Sequence, residues 1–578
     1  MPDKNERMDR RLFFWFLVMF LVIALLSFSL AFFQLFRTDR FAELASDNRL
    51  RVLRLPPARG EIYDRHGSPL AINLESFNIM GYPLDIKKYD LLPSFARLIN
   101  SHGIPISRED LSKRMEQQYL VPYRSVSLLK DLTLPQMIDI VGDPLFPKQL
   151  FPLRVNHRSY PAGPLVGHLL GYVGEISPKE LKQSQDRDYS GGDLIGKNGI
   201  EKTYEDYLRG IPGEQAIEVD ARGRKVDTLN MTPSKKGRDL FITLDLGAQS
   251  LVGRLFREKR GAAIALDVTN GDILVLYSSP VYDNNPLTWG VSAKEWNNLV
   301  NDPEKPMMNR AISGLYSPGS VFKPLVALAA LDKGVISAST RFYCSGKFKL
   351  GDRIFRCWQK YGHGSENLVQ AIRDSCDIYF YQVGLKVGID HMVDWGSRMG
   401  IGSLTGVDLP GELPGNIAGR NWKKKSTGEN WYPGDTVNYS IGQGFLLMTP
   451  IQIAKMYALI ANGGQSVTPH LSRNLKKELE PLAISDSHLR IVKKGLEDVV
   501  KKGTGVAAGQ FGISVAGKTG TVQNPHGPDH ALFAGYAPLD RPRYVVVILV
   551  EAGEHGSTVA APIAGELLAY LIDHGQQQ

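Results

Sequence analysis

At 578 residues the chain exceeds what one ordinary hydrophobic core organises, and 43% hydrophobic against 22% charged residues is the balance of a folded protein, so disorder is excluded as the default and two or three domains are expected. The net charge of +8 is modest for this length, and no stretch interleaves aromatics with a dense Lys/Arg stripe, which argues against a nucleic-acid partner and supports no more than a mild attraction to anionic surfaces. Only three cysteines occur, Cys344, Cys357 and Cys376, all within one short stretch, which scattered core cysteines rarely do.

In chain order, Leu12 to Phe36 carries no charge and, at about 1.5 Å per residue, exceeds the roughly 30 Å of a bilayer's hydrocarbon core. A transmembrane anchor over 12–36 is expected, with 1–11 as a cytoplasmic tail. A cleaved signal peptide would have a shorter apolar region followed by small residues, whereas Gln34-Leu35-Phe36-Arg37 follows here. Lys4, Arg7, Arg10 and Arg11 favour a cytoplasmic N-terminus, but Arg37, Arg40 and Arg49 flank the other end, so orientation rests on the downstream chemistry. Residues 37–236 read as a first region after the anchor. It opens on a polar helical connector, then Pro56 to Asn73, where turn-forming Asp-Arg-His-Gly separates short apolar pairs as in a hairpin. Helical spacing over about 84–150 predicts an α-rich head subdomain, strands resume near Arg154, Ile200 to Leu208 is helical, and a Gly/Pro-punctuated stretch runs to Lys236.

The second domain, 237–578, opens with strict alternation from Asp239. Gly261 to Ser279 forms two alternating runs around Asn270-Gly271, the strongest short hairpin signal. A long helical middle precedes three final strands (GISVAGKTGTVQ, HALFAGYAP, YVVVILVEAG) and an amphipathic helix from Val559 to His574. The expected class is therefore α+β, an antiparallel sheet flanked by helices.

Acyl transfer by a serine needs a base, and SPGSVFKP places Lys323 three residues after Ser320, on the same face if a helix begins at the serine. A lysine acts as a base only when neutral. Burial and a second cation lower its pKa, and Lys518 is a candidate for that cation. Alone this spacing is weak: Ser127 and Lys130 repeat it in SLLK, which reads as an ordinary solvated helix face. What strengthens it is Ser375-Cys376-Asp377 followed by Lys518-Thr519-Gly520-Thr521 on an expected strand. S-x-[ND] also recurs at Ser46-Asp47-Asn48 and Ser184-Gln185-Asp186, whereas K-[ST]-G occurs once. In this order the three are the known motif set of penicillin-binding proteins and class A β-lactamases.

With these motifs, RGEIYDRHG at Arg59, GYVGEI at Gly171, GKNGIEKTYEDYLRG at Gly196, NRAISGLYSPGSVFKP at Asn309 and DTVNYSIGQGFLLMTPIQIAKMYALIANGG at Asp435, the chain resembles the class B penicillin-binding proteins over nearly its whole length, and the elongation type among them. That resemblance implies an inner-membrane, single-pass D,D-transpeptidase with an extended, dimerisation-like β-rich pedestal. Its partners would be peptidoglycan stem peptides, β-lactam antibiotics, a SEDS-family glycosyltransferase and other elongation-complex membrane proteins, in the lipid bilayer. Ser320 would attack the carbonyl between two terminal D-alanines, Lys323 take its proton, Ser375 relay a proton to the leaving amine and Asp377 hold Lys323. Lys518, Thr519 and Thr521 would grip the terminal carboxylate, with the N–H groups of Ser320 and Thr521 as oxyanion donors worth about 3–4 kcal/mol each. A D,D-carboxypeptidase side activity is implied as well. Many relatives carry Asn where Asp377 stands, and a carboxylate beside Lys323 favours its charged form, which works against a general base.

Cys344, Cys357, His363 and Cys376 form the ligand set a tetrahedral structural zinc requires, with Asp352 in reserve. A Cys344–Cys357 disulfide with a leftover thiol, or plain buried thiols, are the alternatives. The absence of cysteine elsewhere and the place of Cys376 between Ser375 and Asp377 favour metal, and some elongation-type relatives are similar in having zinc here. His168 and His530 read as packing or loop residues. No cofactor is expected for the chemistry itself.

Three rival readings carry less. A β-lactamase has neither anchor nor pedestal, a bifunctional synthase would need a glycosyltransferase domain where the pedestal lies, and a non-catalytic scaffold would not need an intact trio. The division-type transpeptidase is the nearest alternative, and the helical subdomain, Asp377 and the cysteines argue for elongation.

Overall fold

The computed structural model describes residues 4–36, 50–118, 125–184, 186–219, 225–475, 479–524 and 527–575. The expected connector with Ser46-Asp47-Asn48, and Gln185 of the other S-x-D match, lie outside them. The apolar N-terminal segment is one continuous helix, Lys4–Phe36, whose Arg11–Leu35 stretch is not buried inside the protein and is long and apolar enough to cross a membrane.

Strand Pro69–Gly81 is the spine of the first region. It pairs antiparallel with Ile62–Tyr63 across the expected turn, with Phe151–Ser159 along most of its length, and with Val126–Leu132 at its far end. Helices Leu91–Ser101 and Arg108–Gln118 cover that far end, and Phe95, Ile99, Leu111 and Leu128 form a small separate core. The SLLK segment is therefore strand, not a solvated helix face, and Ser127 is buried. The misreading has a cause. Apolar residues at 126, 128, 129 and 132 imitate helical spacing, because register irregularities opposite Ile79 and a left-handed Asp131 (φ 57°) let adjacent Leu128 and Leu129 both face inward. The Gly/Pro-punctuated stretch likewise holds two strands, Gly213–Val219 and Lys225–Thr232, which form a three-stranded sheet with Leu50–Leu55.

Two of the quoted motifs meet in a buried ion network. Arg59 reaches Glu201 at 2.6 Å and Glu205 at 2.7 Å, and Arg158 reaches Glu201 at 2.7 Å. Charges removed from water persist only when paired in this way.

The alternating run from Asp239 supplies only the short strand Leu240–Phe241, which lies parallel to Ile62–Tyr63 of the first region, while Ile242 bridges Ser472 of the second. Tyr204 adds a hydrogen bond of 2.6 Å to Asp408, whose carboxylate also accepts the N–H groups of Leu471 and Ser472. The second region is built on a five-stranded antiparallel sheet in the order Ile273–Ser279, Gly261–Asp267, Tyr544–Val550, His530–Ala537, Ala516–Val522. Its central strands are buried on both faces. Helix Pro450–Ala461 packs on the side of Ile264 and Val547, while helices Leu246–Leu255 and Ala561–Gly575 pack on the side of Ala263 and Ile548. The strand carrying Lys518 is at the sheet's edge, and its outer side pairs with no other strand among the described residues.

Candidate active site

Ser320 lies in a short 3-10 turn, Gly319–Phe322, that opens helix Lys323–Asp332. Gly319 makes the turn possible: it adopts φ 56°, donates its N–H to the Gly442 carbonyl at 2.9 Å, and a Cβ there would sit 3.2 Å from the Thr521 carbonyl oxygen. The Ser320 turn thus abuts the edge strand directly. The helix behind it, KPLVALAALD, is apolar on every side and runs through the core, which leaves Lys323 with no exposed surface.

A buried ammonium needs partners, and Lys323 Nζ has three acceptors: the Ser375 carbonyl at 2.8 Å, Ser375 Oγ at 3.2 Å and Asp377 Oδ1 at 2.7 Å. Ser375 Oγ in turn donates to Ser320 Oγ at 3.0 Å. Lys323 therefore reaches Ser320 through Ser375 in this state, and the direct contact suggested by the i, i+3 spacing is not made. Ser375 can offer both its oxygens because it sits between helices Leu368–Arg373 and Asp377–Val387 in the left-handed region (φ 55°), a conformation that costs a non-glycine residue about 1 kcal/mol or more and clusters at functional sites. Asp377 is the first residue of its helix. Its second oxygen accepts the Trp358 N–H at 3.0 Å.

Lys518 is fully buried on the edge strand and donates to the Thr519 carbonyl at 3.1 Å. Burial, and then the charge of Lys323, push its pKa well below the ordinary lysine value. The cation expected to act on Lys323 is thus itself a group whose charge is disfavoured. By the strand's alternation Thr519 and Thr521 share the face opposite Lys518. Thr521 is exposed, while Thr519 is buried with its hydroxyl 2.6 Å from that of Thr504.

The three cysteines are buried and free, so the disulfide alternative is not realised here. Cys344, Cys357, His363 and Cys376 bring one donor atom each to within 4.8 Å of one another. His363 Nδ1 lies 3.6 Å from Cys344 Sγ and 3.5 Å from Cys357 Sγ. Sulfur–nitrogen edges of a tetrahedron with ordinary zinc bond lengths are about 3.6 Å, which these two distances match. Hydrogen bonding from Cys376 lowers the Cys357 thiol far below its usual range, while the same contact raises Cys376 and burial raises Cys344, so without an ion the three sulfurs favour one thiolate and two thiols. Asp352 lies on the exposed turn between strands Lys347–Leu350 and Arg353–Arg356 and is not part of the group. His168 donates to the Pro306 carbonyl and His530 accepts the Ala552 N–H, both outside the Ser–Lys network.

Sequence reasoning passed over three residues. Trp358 follows Cys357 and carries the N–H that holds Asp377, while its indole donates to the Asp374 carbonyl at 3.0 Å. Thr504 was visible only as part of a Gly-Thr-Gly turn. Tyr316, four residues before Ser320, donates to Glu551 at 2.7 Å beside the Arg310–Glu551 pair and ties the Ser320 loop to the end of strand Tyr544–Val550. None of these partners is near its mate in sequence.

Residues 261–569 match the family described as penicillin binding protein transpeptidase domain, and residues 54–242 the penicillin-binding protein dimerisation domain. Among curated proteins, the peptidoglycan D,D-transpeptidase MrdA of Acinetobacter baumannii is 34% identical over 99% of this chain and 89% of its own length. The MrdA of Escherichia coli K12 is 32% identical over 98% of this chain and 94% of its own. Among solved structures, penicillin-binding protein 2 of Helicobacter pylori, in complex with MreC, superposes with a TM-score of 0.84 at 33% identity, covering 91% of this chain and all of that one. Pseudomonas aeruginosa PBP2 in complex with WCK 5153 gives 0.71 at 32% identity, covering 91% of this chain and 98% of that one.

Proposed function

The chain belongs to the class B penicillin-binding proteins, with a transpeptidase and a dimerisation domain, and from that premise we propose how its own residues cross-link peptidoglycan. It is a peptidoglycan D,D-transpeptidase of the elongation type that works through a serine acyl-enzyme. The single observation that carries the residue assignment is the unbroken chain of hydrogen bonds from Asp377 through Lys323 and Ser375 to Ser320.

The roles follow from that wiring. Ser320 Oγ attacks the carbonyl carbon of the D-Ala-D-Ala bond. For it to lose its proton the hydrogen bonds must reverse, Ser320 donating to Ser375 and Ser375 to a neutral Lys323 amine. Restored to the direction seen here, with Lys323 donating to Ser375, the Ser375 hydroxyl is the donor for the departing D-alanine amine. An amine of a second stem then resolves the ester by the same steps in reverse. Thr519 and Thr521 hold the substrate's terminal carboxylate, the buried Lys518 supports them from the strand's other face, and the N–H groups of Ser320 and Thr521 are the donors for the developing oxyanion.

Cys344, Cys357, His363 and Cys376 hold a structural zinc in this reading. Bound there, the ion supplies no chemistry to acyl transfer. It cross-links the segment from Phe342 to Cys376, which includes Trp358 and ends beside Asp377. Region 37–236 acts as a pedestal with its head at about 84–150, 237–578 as the catalytic domain, and the helix at 12–36 as the anchor, with residues 1–11 in the cytoplasm and the rest outside the inner membrane. Residues 54–242, between anchor and catalytic region, match the dimerisation domain, and this reading gives glycan polymerisation to a SEDS-family partner. The MreC complex of the Helicobacter pylori relative supports elongation-complex membrane proteins as further partners.

The test is native mass spectrometry of the detergent-solubilised full-length protein with and without a penicillin, alongside Ser320→Ala and a chelator-treated sample. A stable penicilloyl adduct confined to the wild type, and a zinc-sized mass removed by chelator, are the expected results. No adduct on the wild type would favour a scaffold, and turnover without accumulation would favour a β-lactamase.

A further inference from the structure

Helix Asp486–Lys502 packs on the edge strand and ends in a turn that presents Thr504 to Thr519. The turn is rigidly set. The N–H groups of Gly503 and Gly505 both donate to the Val499 carbonyl, at 3.1 and 2.9 Å. A Cβ on Gly503 would come within 2.6 Å of the Arg373 carbonyl oxygen, two residues before Ser375. Thr504 is thus wedged between the Ser375 turn and the Lys518 strand, and its Oγ1 lies 2.6 Å from Thr519 Oγ1.

Proton counting decides what that contact does. A hydroxyl has one hydrogen to give and two lone pairs, whereas a carboxylate only accepts. Thr519 therefore binds a carboxylate only if its single proton points at the ligand, and the 2.6 Å contact must then be filled by the proton of Thr504. Donation from Thr504 also polarises the Thr519 O–H and strengthens its bond to an anion. The opposite arrangement, with Thr519 donating to Thr504, leaves Thr519 no proton for the substrate.

We propose that Thr504 is a positioning residue for substrate specificity: by donating to Thr519 it commits the Thr519 hydroxyl to the terminal carboxylate of the stem peptide and of penicillins. This rests on the assignment of Thr519 as a carboxylate ligand, and Thr504 itself touches no reacting atom.

The experiment measures second-order acylation rates of the full-length protein in detergent with benzylpenicillin and with its methyl ester, whose ester group carries no anionic charge. A hydrogen bond to a charged group is worth enough that Thr504→Val should lower the benzylpenicillin rate about tenfold, while the slower ester reaction changes less than about twofold. Thr504→Ser should restore the benzylpenicillin rate to within about threefold. In a Thr519→Val background, Thr504→Val should add no further loss, because the two act as one unit. A parallel fall with both acylators, or no change with either, overturns the proposal. So does failure of both Thr504→Val and Thr504→Ala to fold, which would make Thr504 purely structural. Wild-type protein that takes no penicillin at all overturns the Ser320 assignment instead.

Discussion

Lys323 Nζ and Asp377 Oδ1 are 2.7 Å apart, in a place where the lysine side chain has no exposed surface and the aspartate side chain 13%. Breaking such a pair from one side strands a charge away from water and costs about 3–5 kcal/mol. Asp377→Ala should therefore lower the unfolding free energy by that amount and slow acylation of Ser320 as well. Asp377→Asn keeps an oxygen for Lys323 and should lose less of both. Denaturant unfolding and penicillin acylation on the same samples check this, and equal losses for the two variants would show that the aspartate's oxygen is not what holds Lys323.

Ser375 is the bridge between Lys323 and Ser320, at 3.2 and 3.0 Å. Ser375→Ala removes the relay without touching the nucleophile, and general acid–base steps of this kind contribute about 10²–10⁴-fold. The acylation rate should fall by an amount in that range, with the adduct still on Ser320 by peptide mapping. A variant acylated at the wild-type rate would mean that Lys323 deprotonates Ser320 directly.

The Cys344, Cys357, His363 and Cys376 group stands beside both Trp358 and Asp377. Structural zinc contributes folding free energy outright. Chelation should lower the melting temperature, zinc should restore it, and Cys357→Ser should make the protein insensitive to chelator. A melting curve unmoved by chelator, on protein whose native mass shows no metal, would return the cluster to the buried-thiol reading.

His168 donates Nε2–H to the Pro306 carbonyl at 2.6 Å and meets Tyr282 edge-on, and burial pushes its pKa down to about 4. An unfolded histidine titrates near 6.5, so between pH 6.5 and 4 the unfolded chain binds a proton the native state refuses. Stability should fall as pH falls through that window, by on the order of 3 kcal/mol from this group, and be indifferent to it above pH 6.5. His168→Gln keeps a donor and should flatten the slope. Melting temperatures at pH 7 and pH 4.5 decide it, and parallel slopes would remove His168 as the cause.

Glu201 answers both Arg59 and Arg158 inside the first region. Glu201→Ala leaves two buried guanidinium groups without it and should cost at least as much as breaking one buried pair, about 3–5 kcal/mol. Calorimetry of the full-length protein reads it. A loss under 1 kcal/mol would show that water replaces the carboxylate.

The sequence alone determined what depends on local spacing. A charge-free run of 25 residues makes the apolar helix, alternation around Asn270-Gly271 makes a hairpin, and the order of Ser320, Ser375 and Lys518 matches the motif order of a serine acyl-transfer set, because each signal is carried by residues a few positions apart or by a motif order. The tertiary structure decided the rest. Val126–Leu132 became a strand because pairing with Pro69–Gly81 outweighs a pattern that fits a helix equally well. The wiring from Lys323 through Ser375 depends on a left-handed turn that no periodicity reveals. Trp358 and Thr504 gain their places only when segments 19 and 15 residues away fold back on them. Hydrogen bonds and ion pairs fall off over a few ångströms, so residues distant in sequence acquire roles only once packing has closed those distances.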